Sequence, residues 1–98
     1  MSDKYILDGH TPVPVDDLIE WAKFFEGNRH VASDMVGNVR ISTVFLGLDH
    51  SYGSGPPLLF ESMIFGGSLD REQRRYSTWD QAERGHAELL TLVRQTLQ

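Results

Sequence analysis

Two acid–imidazole pairs are the first residues equipped for chemistry: Asp8-Gly9-His10 near the start and Asp49-His50 at mid-chain. A carboxylate beside an imidazole suits metal ligation or acid–base work, because the acid orients the ring and raises its basicity. Neither pair has the i, i+4 spacing that sets two ligands on one helix face, and HExxH does not occur. With no cysteine in the chain, zinc–thiolate sites, disulfides and thiol nucleophiles are excluded. Turn-stabilising hydrogen bonds to the backbone are the expectation for both aspartates, with no metal or other cofactor.

Asp49 and His50 open an overlong connection, Gly47-Leu48-Asp49-His50-Ser51-Tyr52-Gly53-Ser54-Gly55-Pro56-Pro57. A hairpin needs only two to five residues, and long ordered loops are often functional. The plain reading is a connector in which Asp49 caps a turn. The functional reading is a displayed loop in which Asp49 fixes the His50 tautomer and Tyr52 offers an apolar face and a hydroxyl. Gly53-Ser54-Gly55 lacks the G-x-S-x-G frame of a hydrolase, and no Lys-Ser or Lys-Thr follows to make a phosphate loop. Glu61 interrupts the apolar run Leu58–Phe65; it pairs across strands, with Arg40 as the expected partner, or serves as a general base. The binding residues expected are therefore Asp8, His10, Asp49, His50, Tyr52 and Glu61. His86 lies on an apolar helix stripe and is expected to bond backbone or a Ser/Thr hydroxyl.

The elements that must position these groups follow from periodicity. Tyr5-Ile6-Leu7 is a short strand closed by Asp8-Gly9, and Pro12 and Pro14 hold the chain extended to a helix start. Leu18, Trp21, Ala22 and Phe25 recur at helical spacing until Gly27-Asn28. His30–Val36 and Val39–Leu46 flank the turn pair Gly37-Asn38; Leu58–Phe65 is a further strand, and Arg74–Ser77 a short edge strand. Trp79, Ala82, His86, Leu89, Leu90, Val93 and Leu97 share one face of a last helix, with Thr78 and Gln81 spaced as a capping box. Gly85 inside that helix predicts a close approach to the sheet. The order predicts an α+β fold: a mainly antiparallel sheet of three to five strands with two helices packed on one face. The predicted core holds Leu18, Trp21, Phe25, Ile41, Phe45, Phe60, Ala82, Leu89, Leu90 and Val93.

At 98 residues the chain makes a single domain, 1–98, with a small core. Its formal charge of −5 and pI near 5.2 argue against nonspecific nucleic-acid binding. The basic cluster Arg71, Arg74 and Arg75 is diluted by Asp70 and Glu72. No window reaches the roughly 20 apolar residues of a membrane span. MSDKYILDGH has no apolar core behind a basic start, so a signal peptide is not expected and the cytoplasm is the expected compartment. One layer of helices leaves the other face of the sheet bare, which predicts a homodimer or other small homo-oligomer.

Two stretches, YILDGHTPVPVDDLIEWAKFFE and ISTVFLGLDHSYGSGPPLLFESMIFGG running on to RYSTWDQAERGH, resemble a small protein family of bacteriophage and prophage genomes. The resemblance covers nearly the whole chain. It implies a phage or mobile-element protein acting in a bacterial cytoplasm, and brings no activity, cofactor or catalytic residue. Two functions are then expected to compete. One is a noncatalytic accessory protein that binds a host protein or sequesters a small molecule. The other is a small enzyme using Asp, His and Glu on a metabolite or nucleotide. Mutual geometry separates them, since acid–base partners need hydrogen-bond reach.

Overall fold

The computed structural model describes residues 3–51 and 53–97. Strand β1 (Tyr5–Asp8) turns at Gly9-His10 into β2 (Thr11–Pro14), and the two pair antiparallel with Tyr5 opposite Pro14. The prolines that were expected only to hold the chain extended thus belong to a strand. Proline lacks the donor that an interior strand needs, and this two-stranded ribbon leaves β2 an edge where none is needed.

Helix α1 (Leu18–Phe25) is capped by Asp17, whose carboxylate accepts from the Ile19 amide at 2.9 Å. Its inner side is Trp21, Phe24 and Phe25, all half-buried, and none of its residues is fully buried. Leu18, expected in the core, is 60% exposed. Two turns of helix are too short to carry the whole stripe inward. Phe24 meets Phe45 edge-on at 5.8 Å between centroids, and the first turn projects past the packed region.

Strand β3 (His30–Val36) and β4 (Val39–Phe45) fold about Gly37-Asn38, and β5 (Phe60–Phe65) and β6 (Gln73–Tyr76) complete an antiparallel sheet of order β3-β4-β5-β6. Alternation on β4 sends Val39, Ile41, Thr43 and Phe45 to one face, level with Ile64, Ser62 and Phe60 of β5. Helix α2 (Trp79–Thr96) lies across that face and touches all four strands. The Thr78 hydroxyl accepts from the Gln81 amide at 3.1 Å while the Gln81 side chain accepts from the Thr78 amide at 3.3 Å, the expected capping box. Gly85 lets α2 settle, since a Cβ there would collide with the ring and hydroxyl of Tyr76.

The fold is therefore α+β, with the longer helix carrying most of the cover and α1 reaching the same face through Phe24. Ile41, Phe45, Phe60, Ala82, Leu89 and Val93 form the buried core as expected, while Trp21, Phe25 and Leu90 stay half-buried. Leu97, the C-cap of α2, stands 52% exposed at the end of its stripe. Among the described residues no helix is long and apolar enough to cross a membrane.

Candidate functional site

The densest polar chemistry in the molecule is under α2. Asp34 of β3 accepts from His86 Nε2 at 2.7 Å, and His86 Nδ1 lies 2.7 Å from Thr43 Oγ1. Thr43 Oγ1 is in turn 2.5 Å from Ser62 Oγ, which accepts from the Tyr76 hydroxyl at 3.1 Å. A carboxylate only accepts, so His86 carries its hydrogen on Nε2 in the neutral ring and leaves Nδ1 to accept from Thr43. Every donor then points one way: Tyr76 to Ser62, Ser62 to Thr43, Thr43 to His86, His86 to Asp34. The chain crosses the whole sheet through one helix residue.

An acid–imidazole–hydroxyl series has the parts of a nucleophilic relay, but here it is sealed. Thr43 and Ser62 are fully buried and His86 nearly so, while the ends of the chain, Asp34 and the half-buried Tyr76, reach towards solvent. A substrate has no path to either hydroxyl. What the arrangement does instead is satisfy five polar groups at once and hold β3, β4, β5, β6 and α2 in one register. His86 behaves as expected of a stripe histidine, bonded to a threonine. Thr43 and Ser62 were missed as a pair, although each is the polar member of an otherwise apolar alternation, Val39-Ile41-Thr43-Phe45 and Phe60-Ser62-Ile64. Asp34 and Tyr76 carried no local signal.

The expected binding residues fall in separate places. Asp49 closes the long loop at its base: one carboxylate oxygen accepts from the Ser51 amide at 2.8 Å and from the Leu58 amide at 3.0 Å. The Ser51 side chain first and the Ser51 amide next hold its carboxyl below the usual aspartate range; burial opposes them, and the Leu58 amide and the charge of His50 add smaller pulls in the lowering direction. The His50 amide donates to the Leu58 carbonyl at 3.0 Å, so the strand pairing runs on irregularly and the freely projecting tip is short. Gly53, Ser54, Gly55 and Pro56 are exposed on that tip. Tyr52 lies outside the described residues.

Gly47, with φ +75, is the junction behind the loop. Its carbonyl accepts from the Tyr5 amide at 2.8 Å and from Trp21 Nε1 at 3.1 Å, tying hairpin and α1 to the end of β4. A side chain there would strike the Phe25 ring. At the far end of the hairpin Asp8 is exposed, and the His10 ring stacks on Trp79 with centroids 3.7 Å apart and planes 5° from parallel. Tyr5 pairs at the base of the ribbon and Asp8 at its tip, about 10 Å along the strand. The two acid–imidazole pairs therefore sit at opposite ends of β1 rather than together. Among the described residues no group of three or more His, Asp or Glu is placed to hold a metal ion.

Glu61 is on the sheet's other face. Its carboxylate accepts from Arg75 Nε at 3.0 Å and from Gln73 Nε2 at 2.8 Å. The expected partner, Arg40, is two register steps away; its guanidinium lies over the Phe65 ring at 4.8 Å instead. Register decides this, because Glu61 stands opposite Val44 on one side and Arg75 on the other. The chain was compared with protein-family models, curated proteins and solved structures, and none matches.

Proposed function

We propose that the chain is a noncatalytic accessory protein of bacteriophage or prophage type, binding a host protein or sequestering a small molecule in the bacterial cytoplasm. The observation that carries the noncatalytic part is the dispersal of the candidate groups. Asp8 and His10 are at the hairpin tip, Asp49 and His50 at the loop base, and Glu61 on the opposite face of the sheet. General acid–base work needs its members within hydrogen-bond reach of one substrate atom. Among the described residues, the connected acid–imidazole–hydroxyl chain has its imidazole and the Thr43 and Ser62 hydroxyls buried. The phage setting rests on the resemblance of the two sequence stretches alone.

The working surface of this reading is the projecting tip at 51–57. Gly53, Ser54, Gly55 and Pro56 are exposed on it, its base is closed by the Asp49 carboxylate, and its exit is stiffened by Pro56 and Pro57. A loop preorganised in this way loses little entropy on binding. The test is capture from bacterial lysate by the intact chain and by His50→Ala and Tyr52→Ala variants, read by mass spectrometry beside melting curves. A protein or metabolite held by the wild type and lost from both variants at unchanged Tm supports the reading. Binding that merely follows Tm, or turnover of a metabolite by the wild type, overturns it.

A further inference from the structure

The face of the sheet turned away from α2 has no helix over it among the described residues. Its side chains form three rows. Met35, Arg40 and Phe65 make the first, Ser33, Ser42, Met63 and Gln73 the second, and His30, Val44, Glu61 and Arg75 the third. Met35 is 62% exposed and Phe65 40%, whereas Ser42 at the centre is only 8% exposed, sunk among larger neighbours. The pattern is a middle row of small and polar residues around Met63, with Met35, Phe65 and the Arg40 stacked on that ring at one end and the Glu61–Arg75 pair beside Val44 at the other. We infer that this face is where a second copy of the chain docks, sheet against sheet, related by a two-fold axis lying between the sheets and perpendicular to the strands.

Such an axis exchanges the ends of the face and keeps each strand over its own counterpart. Arg40 of each copy then lies over the Val44 position of the other, one strand from the Glu61 carboxylate, and the contact is made twice. Met63 meets Met63 and Ser42 meets Ser42 at the centre. Charge favours this occupant. The chain carries −5 overall, yet this face holds Arg40 and Arg75 against Glu61, while α2, behind the other face, carries Asp80, Glu83 and Glu88 beside Arg84 and Arg94. Sheet-to-sheet docking therefore brings mixed charge together, with Arg40 of each copy near Glu61 of the other. A nucleic acid would need a single-sign basic field, which this face lacks.

Area sets the strength. Four strands about 4.8 Å apart and three rows about 6.6 Å apart span roughly 400 Å² in projection. With side-chain relief, two copies bury on the order of 1,200 Å² in total, at the lower edge of specific interfaces, so a dimer of micromolar strength is expected. The docked pair would hold its two 51–57 loops at opposite ends. The dimer does not depend on those loops binding anything.

Sedimentation of the full chain between about 1 and 300 μM, with circular dichroism to verify folding, tests the geometry directly. The wild type is expected to move from 11.1 kDa towards twice that mass. Arg40→Glu and Glu61→Arg are each expected to weaken association at least tenfold, and an equimolar mixture of the two to restore it, since every Arg–Glu contact is then re-formed across the axis. Met63→Lys, which has no charge partner, is expected to remain monomeric in every mixture. A wild type that stays at 11.1 kDa throughout overturns the proposal. So does a dimer that survives all three substitutions, or a charge-swapped mixture that fails to associate.

Discussion

The two faces of the four-stranded sheet are built from the same strands and differ in what each polar side chain is asked to do. Under α2 the polar groups run in a diagonal row, Thr43 opposite Ser62 with Asp34 one pair towards one end and Tyr76 one pair towards the other, and each is bonded to the next or, for Asp34 and Thr43, to His86 between them. On the open face the charged groups lie towards the ends, where Glu61 pairs with Arg75 and Arg40 stacks on Phe65, and the neutral Ser33, Ser42 and Gln73 fill the row between. A buried hydroxyl left unpaired costs its full desolvation, so the hydroxyls of the covered face are joined in one network, although the Trp79 Nε1 is buried there without a partner. The open face tolerates polar groups singly. The connected acid, imidazole and hydroxyls of the covered face thus serve register.

The largest effect should come from breaking the covered face at its aromatic end. Phe45 is fully buried and meets both Phe24 and Phe60, at 5.8 and 5.3 Å between centroids. Phe45→Ala should cost about 3–5 kcal/mol in urea unfolding, a large part of the stability of so small a domain. A loss under 1 kcal/mol would mean that this end of the sheet is not packed as described.

Next comes the polar row. Thr43→Val keeps the shape but leaves His86 Nδ1 without a donor and the Ser62 hydroxyl without an acceptor. The expected cost is about 1–3 kcal/mol. In a double-mutant cycle with His86→Leu the two losses should fall short of their sum, because the second change removes a group the first has already orphaned. Strict additivity would show that the row is not one network.

How much of this contrast is legible in the sequence depends on range. Alternation on Val39–Phe45, the Gly37-Asn38 turn and the Thr78–Gln81 capping box are local, and each is found where the residues predict it. Gly85 could be read as a close approach because a glycine inside a stable helix needs a reason. The partner of Glu61 could not be read, since choosing Arg75 over Arg40 requires the register of β5 against both neighbours. Leu18 misled for a related reason: periodicity gives a stripe but not where a two-turn helix runs out of neighbours. Asp34 was invisible as a site because its partner, His86, is 52 residues away.

The loop gives a smaller, pH-dependent effect. Asp49 is bonded to the Ser51 and Leu58 amides and its carboxyl is held below the ordinary aspartate value. A depressed carboxyl contributes stability that is complete above its unfolded pKa and is lost as pH falls through the folded one. Asp49→Asn should therefore lower Tm at neutral pH and flatten the acid limb of the stability curve below about pH 4. Parallel curves for variant and wild type through that range would remove Asp49 from the loop's base.

The smallest effect should be on the open face, next door to the largest. Met35 follows Asp34 directly in β3, and the pleat sends the two to opposite sides of the sheet. Asp34 closes the buried row, whereas Met35 is 62% exposed at an edge. Met35→Gln, melted at about 1 μM so that any association is absent, should change stability by less than about 0.5 kcal/mol, as surface substitutions away from buried features do. Asp34→Ala under the same conditions leaves His86 Nε2–H without an acceptor at the edge of the core, and should cost several times more. Half of the Asp34 side chain is in solvent, so water can take part of its place and hold the loss towards the lower end of the roughly 1–3 kcal/mol of an orphaned donor. If Met35→Gln proves the more damaging of the two, something in the monomer covers the open face, and the division of labour between the faces fails at its simplest point.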